Sequence, residues 1–247
     1  MIRFRADLHL HTVLSPCGDL DMSPSQLVEH AHLRGIQIMG ITDHNTTKHA
    51  RLVRDLAAKV NILSLCGAEV TSKEEAHLLC FMPTDEKLQK LQQFIDDNLL
   101  KVRNNPKYFG EQLLVNEQEE ILGEEEYLLI NAIDKDVNEI GEFVMKNGGL
   151  FIPAHVDRQA FSLTSQLGFI PPDLECSAIE ISKKSSVEAL LSQFPYLNGR
   201  SFIRSSDAHY LNEMASAFTH FYLKEASFEE IKMALAQEEG RYCEIPQ

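Results

Sequence analysis

Asp7-Leu8-His9-Leu10-His11-Thr12 is the stretch of this 247-residue sequence that most restricts the fold and the chemistry. It completes an apolar run, residues 4–10, that predicts a β-strand close to the N-terminus. Because alternate residues of a strand point to the same face, the imidazoles of His9 and His11 can reach one point in space. Imidazole is a common metal ligand, so this spacing at the end of a strand favours a metal site over two unrelated core histidines.

Other side chains of the metal-binding types also stand beside predicted strands. Short apolar runs predict these strands at 36–41, 62–65, 77–81, 150–153, 178–181, 202–204 and 218–223. The side chains are His44, Glu69, His77, His155, and the pair Asp207 and His209, which repeats the i, i+2 spacing; Asp19 follows His11 in a loop. Barrel enzymes place their chemistry at strand ends, so we expect these side chains to meet there.

Amphipathic runs between the strands predict helices, and the alternation indicates an α/β fold. Ser23 is predicted to cap the first of them. Asn45 is predicted to cap a helix that runs to about residue 59, and another helix is predicted at about 134–147. The last helix is predicted to begin at Ser227, with Glu230 as its capping-box partner.

The segment 84–132 interrupts this alternation. Its first part, 84–103, has leucines and isoleucine at helical spacing, whereas the rest is rich in Asn, Pro, Gly and Glu. We therefore predict a single domain over 1–247 with a mainly helical insertion at 84–132 that caps the site. Three cations of this insertion could form a local basic strip: Lys101, Arg103 and Lys107.

The chain is strongly acidic, with 37 Asp and Glu against 23 Lys and Arg and a formal net charge of −14. This charge opposes non-specific binding to long nucleic acid, which needs cations along the phosphate track. We therefore expect a small or short ligand and do not expect long duplex nucleic acid to be a partner. Bound metal ions would reverse the sign of the local field at the site.

Cellular location is predicted from three features of the chain. No run of about 18 apolar residues is present, so no membrane-spanning helix is expected. The first residues are too polar for a signal peptide. The five cysteines form no C-x-x-C pair and are odd in number, which is typical of reduced thiols in the cytoplasm: Cys17, Cys66, Cys80, Cys176 and Cys243.

The number of metal-type side chains predicts more than one ion. Nine candidate nitrogen and oxygen ligands exceed what one ion takes, so about two to three divalent ions bridged by carboxylates are expected. Imidazole with carboxylate suits Mn, Fe or Zn and does not choose among them. No cysteine is needed, which disfavours a structural zinc site.

Five motifs together resemble the PHP (polymerase and histidinol phosphatase) family. In chain order they are Asp7-Leu8-His9-Leu10-His11-Thr12, Thr42-Asp43-His44, Gly67-Ala68-Glu69, Pro153-Ala154-His155 and Ser206-Asp207-Ala208-His209. The resemblance spans residues 7–209 and implies a distorted (β/α)7 TIM-like barrel with a trinuclear site at the C-terminal ends of its strands. It also implies three ligand sets: His9, His11, Glu69 and Asp207; Glu69, His77 and His155; and Asp19, His44 and His209.

The sequence departs from the family pattern at two places. Many members have Ser-Asp-Gly soon after the two histidines, whereas this chain reads Ser15-Pro16-Cys17-Gly18-Asp19. Asp19 aligns with the family's metal-binding aspartate, and Asp21 is the alternative. Cys17 is interpreted as a loop thiol. Val156 follows His155 where proline is usual, which alters a loop and leaves the ligands intact.

For several residues outside the ligand sets, more than one role is consistent with the sequence. The resemblance implies that Arg158 binds substrate phosphate, for which a planar fork is suited, and a surface arginine is the alternative. Lys183 and Arg204 are weaker phosphate-binding candidates, and Asp43 either orients a ligand or belongs to a turn. His209 or His155 could donate a proton to the leaving oxygen. Four other histidines are interpreted as structural: His30, His32, His49 and His220.

The function implied is metal-dependent hydrolysis of phosphoesters, with a hydroxide held between the ions as nucleophile. Nucleotides or short oligonucleotides are the expected substrates, and histidinol phosphate is the alternative. Two other classes stay open, a metal-binding PHP module without catalysis and an amidohydrolase acting on C–N bonds. Amidohydrolases commonly bridge two ions with a modified lysine, whereas Glu69 takes the bridging place here.

Overall fold

The computed structural model describes residues 1–246, and Gln247, the last residue of the predicted domain, lies outside the described residues. The strands are β1 (Ile2–Leu10), β2 (Ile38–Ile41), β3 (Leu63–Thr71), β4 (His77–Met82), β5 (Leu113–Val115), β6 (Ile121–Glu124), β7 (Leu150–Pro153), β8 (Ile179–Glu180), β9 (Phe202–Ile203), β10 (Thr219–Leu223) and β11 (Tyr242–Glu244). The α-helices are α1 (Pro24–Leu33), α2 (Ala50–Lys59), α3 (Asp85–Asn98), α4 (Pro106–Phe109), α5 (Val137–Lys146), α6 (Leu163–Leu167), α7 (Val187–Gln193) and α8 (Phe228–Leu235). The predicted α/β class is confirmed. Over residues 1–246, every helix is too short or too polar to cross a bilayer.

A curved seven-stranded sheet, in the order β11-β10-β1-β2-β3-β4-β7, forms the main wall of the molecule. Strands β1, β2 and β3 are parallel, whereas β4 is antiparallel to both its neighbours. The parallel pair β8–β9 continues the wall, since Val156 N donates to the Glu180 carbonyl and Leu10 forms a bridge with Ala208. This curvature is consistent with the predicted TIM-like barrel. A regular (β/α)7 repeat is not confirmed, because β3 and β4 are joined by the turn 72–76 without a helix.

Two candidate ligands lie on the same strand faces as apolar core residues. Glu69 shares its face of β3 with Leu65, and His77 shares its face of β4 with Leu79 and Phe81, because side chains of a strand alternate. Leu65, Leu79 and Phe81 are buried in one hydrophobic cluster with residues of β1, β7 and α8. The strands therefore hold Glu69 and His77 next to a packed apolar core.

Asn45 does not cap a helix, contrary to the prediction. Helix α2 begins at Ala50 with His49 as its preceding residue, and Asn45 has a left-handed backbone with φ of 48°. Its amide nitrogen donates instead to the carbonyls of Leu129 and Asn131, each at 2.7 Å. Asn45 therefore connects the end of β2 to the predicted insertion, a long-range role that local capping statistics cannot indicate.

The predicted insertion 84–132 has two parts with different packing. Helix α3 buries Leu88, Leu91 and Ile95 in the main hydrophobic core. Residues 99–132 contain only the four-residue α4 and the β5–β6 hairpin, so the prediction of a mainly helical insertion is wrong for this part. The division into a barrel and a capping insertion stays a prediction.

Ser227 caps α8 as predicted, but Glu230 does not complete a capping box. The Ser227 hydroxyl accepts a hydrogen bond from Glu230 N at 3.3 Å. The Glu230 carboxylate instead accepts from Arg241 Nη2 at 2.7 Å and Nε at 3.1 Å, and from Lys224 N at 2.7 Å. Because the Arg241 side chain is buried, its paired carboxylate satisfies a charge that would be costly to leave alone.

This ion pair predicts a pH-dependent contribution to stability. The hydrogen bonds from Arg241 lower the pKa of Glu230 from its ordinary value of 4.5 to about 2. A lowered folded-state pKa gives stability that is present above the ordinary value and lost as the pH falls through the folded value. Glu230→Gln should therefore lower the melting temperature at pH 7, and its difference from wild type should shrink between pH 4.5 and 2. Thermal unfolding across this range, with exposed Glu229→Gln as control, tests it; a difference independent of pH would contradict the assignment.

Candidate metal centre

Five imidazole rings surround the buried carboxylate of Glu69 on β3. Nitrogens of these rings lie 2.9 to 3.4 Å from its oxygens: His77 Nδ1, His9 Nε2 and His155 Nε2 at Oε1, and His44 Nδ1 and His11 Nε2 at Oε2. The rings come from the ends of β1, β2, β4 and β7, as the sequence positions of the motifs require. Glu69 is thus the common neighbour of ligand-type side chains from four strands.

Asp207 supplies a second carboxylate to this cluster. Its Oδ1 lies 3.3 Å from His9 Nε2, 3.4 Å from His11 Nε2 and 3.7 Å from His209 Nδ1. The backbone of Asp207 is left-handed, with φ of 52°, a conformation that costs energy in an aspartate and is held by the surrounding structure. The structure therefore brings both i, i+2 pairs of the sequence to one place.

Asp7 of β1 fixes the segment on either side of Asp207. Ser206 donates to the two Asp7 oxygens from its backbone N at 2.9 Å and its hydroxyl at 2.6 Å, and Ala215 N donates at 2.9 Å. Burial raises the pKa of Asp7 to about 6 in spite of these hydrogen bonds. The first residue of the Asp-Leu-His-Leu-His motif thus holds the strand end that carries Asp207.

Several buried ligand-type atoms of the cluster have no hydrogen-bond partner among residues 1–246. They are His9 Nε2, His11 Nε2, His44 Nδ1, His77 Nδ1 and Glu69 Oε2. A buried polar atom without a partner costs about 1–3 kcal/mol. Five such atoms in one cluster around Glu69 favour a bound ligand, and imidazole nitrogens with carboxylate oxygens fit divalent ions such as Mn, Fe or Zn.

Three groups of these side chains place one ligand atom each within 4.8 Å of one another. They are His9, His11, Glu69 and Asp207; His44, Glu69 and His77; and His11, His44 and His209. The first group coincides with the first ligand set implied by the sequence. The other two differ, since His44 joins Glu69 and His77, and His11 takes the place of Asp19.

Asp19 and His155 are near the cluster but outside these groups in the described part of the chain. Asp19 Oδ1 accepts from Asp21 N at 2.9 Å, and the backbone N of Asp19 donates to the His209 carbonyl at 2.9 Å. Asp21, the alternative ligand, is exposed. His155 contacts Glu69 through Nε2 and has a left-handed φ of 28°. Their predicted ligand roles remain predictions.

The electrostatics of the cluster keep two histidines neutral. Burial lowers the pKa of His44 well below its usual range. Burial and the neighbouring His11 lower the pKa of His209 to about 4. Burial alone would raise the pKa of Glu69. The surrounding imidazoles, of which His77 has the largest effect, instead lower the pKa of this carboxyl well below its usual range. Neutral imidazole and ionised carboxylate are the forms that bind metal.

Two residues that bind the far side of the histidine rings were not assigned from the sequence. His9 Nδ1 lies 3.0 Å from Glu180 Oε2, and His11 Nδ1 lies 3.0 Å from the Ser15 hydroxyl. Glu180 also accepts from His155 N at 3.0 Å. In the neutral rings that bind metal, donation from Nδ1 to these acceptors would leave Nε2 of His9 and His11 free to bind an ion. A lone carboxylate in the apolar strand 178–181 was the available signal for Glu180.

Asp43 orients His11 and does not merely form a turn. Its Oδ1 accepts from Ser15 Oγ and from Thr12 N, both at 2.7 Å, and its Oδ2 accepts from Thr12 Oγ1 at 2.8 Å. Ser15 is then free to accept from His11 Nδ1. The carboxylate of the second motif therefore aligns a ring of the first, which resolves the two roles left open for Asp43.

A cleft of about 1040 Å³ opens beside Asp207 and His209. Arg158 lies in its wall and forms an ion pair with Asp207 Oδ2, on the opposite oxygen from the histidines. The rings of Phe161 and Tyr210 also line this cleft and are 46% and 51% exposed. The cleft therefore offers a cation and two accessible aromatic faces next to the cluster.

The loop 182–185 brings two lysines, Lys183 and Lys184, to the same cleft. Asp157 Oδ1 accepts from Ser182 N at 2.6 Å at one end of this loop. At the other end, Arg204 Nη2 donates to the Ser185 carbonyl at 2.6 Å. Arg204 thus holds the loop, and the direct phosphate contact predicted for it stays a prediction.

Removing the charge of Glu69 should release the metal and keep the fold. Glu69→Gln retains the size of the side chain but removes the anion shared by five imidazoles, so metal affinity should fall by roughly 100-fold or more. Chelator competition with Mn²⁺ or Zn²⁺ measures this, and Glu75→Gln, exposed on the β3–β4 turn, is the matched control. Unchanged affinity in a folded Glu69→Gln protein would contradict the central place given to this carboxylate.

One relative by sequence is the uncharacterised protein YqxK of Bacillus subtilis (strain 168), which is 25% identical over 277 residues. The match covers 98% of this chain and 64% of YqxK. The chain thus spans less than two thirds of the length of that relative.

Solved structures share the fold. Endonuclease Q from Pyrococcus furiosus, described as a lesion-specific endonuclease, superposes with a TM-score of 0.77 at 18% identity, over 98% of this chain and 58% of that one. Endonuclease Q in complex with a 27-mer duplex containing an abasic lesion gives a TM-score of 0.73 at 19% identity, with the same coverage of 98% and 58%. At these identities the likeness establishes the fold alone.

The family is established by a sequence profile. The profile described as "PHP domain" matches residues 7–151, more than half of the chain, and this range contains the first three motifs and six of the nine candidate ligands. The fold and the arrangement of histidines around Glu69 agree with this match. The chain belongs to the PHP domain family.

Proposed function

We propose that this protein is a metal-dependent hydrolase of phosphoesters. The observation that carries the proposal is the convergence of buried, unpartnered imidazole and carboxylate atoms beside a cleft that contains cations. Membership of the PHP family and the shared fold of endonuclease Q support the same reaction class.

The geometry supports at least two ions and leaves a place for a third. A carboxylate has two oxygens and can bridge, whereas each imidazole nitrogen binds one ion. The group of His9, His11, Glu69 and Asp207 and the group of His44, Glu69 and His77 can therefore be filled together, with Glu69 as the bridge. A third ion at His209 would need a further ligand, for which Asp19 is the nearest assignment from the sequence.

Divalent ions held there would supply Lewis-acid polarisation of a phosphoryl oxygen and activation of water. The protein's own part is to orient the phosphate. Arg158 is held by Asp207 at the edge of the cluster and has further N–H groups for phosphate oxygens. Lys183 and Lys184 face the same cleft from a loop fixed at both ends.

Proton transfer to the leaving oxygen is assigned to His155 in preference to His209. Burial and His11 lower the pKa of His209 to about 4, so this ring is neutral at pH 7 and lacks the extra proton that a general acid gives up. His155 has a buried Nδ1 with no partner among the described residues, and its ring contacts Glu69 through the other nitrogen. We therefore propose His209 as a metal ligand and His155 as the proton donor.

Nucleotides or short oligonucleotides fit the cleft better than histidinol phosphate. Exposed aromatic rings such as Phe161 and Tyr210 can stack on bases, and neighbouring lysines can pair with a strand's phosphates. The expectation that long duplex is excluded rests on net charge alone. The structural neighbours lend it no support, since one of them, endonuclease Q, is described with a 27-mer duplex.

Two other classes are less well supported by the site. In a module without catalysis, nothing would require Arg158 and two lysines to line the cleft beside the cluster. In an amidohydrolase with a modified lysine bridge, a lysine would occupy the position that Glu69 holds here. The donor set and the cations together favour phosphate chemistry.

A comparison of rates tests the substrate class. With Mn²⁺ at fixed salt, we expect faster turnover of nucleoside phosphates and 5′-phosphorylated oligonucleotides than of histidinol phosphate or amides. Duplex DNA with and without an abasic site belongs in the same panel. Turnover of amides alone would reject the phosphoesterase proposal, and fastest turnover of long duplex would reject the preference for short substrates.

Arg158→Ala should lower kcat/KM roughly 10- to 1000-fold, because charge-assisted hydrogen bonds to phosphate are worth about 1.5–3 kcal/mol each. Metal content should change little, since Arg158 pairs with the Asp207 oxygen that faces away from the histidines. Arg3→Ala is a control, because Arg3 is an exposed arginine near the start of β1. Kinetics equal to wild type would make Arg158 an ordinary surface residue.

A further inference from the structure

The buried side chain of His49 is bonded on both of its nitrogens. His49 precedes α2 and is 2% exposed. Its Nδ1 lies 2.7 Å from Thr12 Oγ1, and its Nε2 accepts a hydrogen bond from the backbone N of Val115 at 3.1 Å. Thr12 belongs to the first metal-site motif, whereas Val115 belongs to β5, in the segment 99–132. His49 therefore joins two parts of the chain that are far apart in sequence.

The direction of each hydrogen bond is determined by the groups present. A backbone N–H can only donate, so His49 Nε2 is unprotonated and the proton of the neutral ring is on Nδ1. His49 Nδ1 then donates to Thr12 Oγ1, whose own proton goes to Asp43 Oδ2 at 2.8 Å. Burial lowers the pKa of His49, which favours this neutral ring.

A second chain of hydrogen bonds links the Asp43 carboxylate to the metal cluster. His11 Nδ1 donates to Ser15 Oγ, and Ser15 Oγ donates to Asp43 Oδ1. Asp43 therefore receives hydrogen bonds from the His11 side and from the His49 side. The position of Asp43 therefore depends on both chains of hydrogen bonds, and so does the rotation of the His11 ring.

The segment 99–132 makes three further hydrogen bonds to the same loops. Leu113 N donates to the Val13 carbonyl at 3.4 Å, next to Thr12. Asn45, which follows the candidate ligand His44, donates to the carbonyls of Leu129 and Asn131. These contacts of the segment therefore reach residues that lie next to the candidate ligands His11 and His44.

We infer that His49 is a positioning residue through which the segment 99–132 sets the geometry of the metal centre. The Val115 amide of this segment fixes the tautomer of His49 and thereby supports Thr12, Asp43 and His11. This inference rests on the metal centre of the proposed function and is independent of the substrate.

Two isosteric substitutions separate the two bonds of His49. In His49→Asn the side-chain amide reaches the position of Nδ1 and keeps a donor for Thr12, while the acceptor for Val115 is lost. In His49→Gln the terminal oxygen reaches the position of Nε2 and keeps that acceptor, while the donor for Thr12 is lost. His32→Asn, at an exposed helical histidine, is the matched control.

Metal binding and hydrogen exchange are the readouts. We expect His49→Gln to weaken Co²⁺ binding by roughly 10- to 100-fold in chelator competition and to change the visible Co²⁺ spectrum. We expect His49→Asn to lose protection of the Val115 amide, with a smaller loss of affinity. Thr12→Val, which removes the relaying hydroxyl, should reproduce the His49→Gln spectrum, and the control should match wild type.

A measurement on wild-type protein needs no substitution. The imidazole nitrogen-15 shifts of His49 should show a neutral ring protonated on Nδ1, with or without metal. A ring protonated on Nε2, or wild-type Co²⁺ affinity and spectrum in folded His49→Gln and Thr12→Val, would overturn the inference. Failure of wild-type protein to bind Co²⁺ at all would instead contradict the proposed function, so the two failures are distinguishable.

Discussion

The constraint on which the site depends is the burial of one carboxylate, Glu69, among five imidazole rings. An ionised group at 1% exposure is costly unless opposite charge or hydrogen bonds compensate it. The compensation comes from side chains at the ends of β1, β2, β4 and β7. These strands must therefore end at the same level around β3, and this requirement links the barrel-like curvature to the chemistry.

Around this centre lies a layer of three further buried carboxylates, each with a distinct positioning task. Asp7 holds the turn that carries Asp207, Glu180 fixes the ring of His9, and Asp43 fixes that of His11 through Ser15. None of them points an oxygen into the three groups of candidate ligands within residues 1–246. Ligand orientation is thus separated from ligation, which lets two neighbouring histidines present the same nitrogen to the cluster.

The sequence predicted what depends on short-range periodicity. The strand positions and the i, i+2 spacing were enough to place His9 and His11, and Asp207 and His209, together. What it could not predict were partners chosen over long distances. Asn45 looks like a helix cap, yet it bonds carbonyls more than 80 positions away, and Glu230 bonds Arg241 in place of its own helix end.

The segment 99–132 shows a second limit of sequence patterns. Its short strands and its four-residue helix are stabilised by buried polar contacts such as Gln112, whose amide bonds three backbone groups. Such contacts leave no hydrophobic periodicity to detect. The role of His49 is likewise invisible in the sequence, because a histidine beside a helix gives no sign of its two hydrogen-bond partners, Thr12 and Val115.

The claim that Glu69 bridges metal ions is tested most directly by anomalous X-ray diffraction from crystals grown with Mn²⁺. The account predicts at least two anomalous peaks, one beside His9, His11 and Asp207 and one beside His44 and His77, with an oxygen of Glu69 bound at each. A single peak, or peaks that Glu69 does not contact, would contradict it.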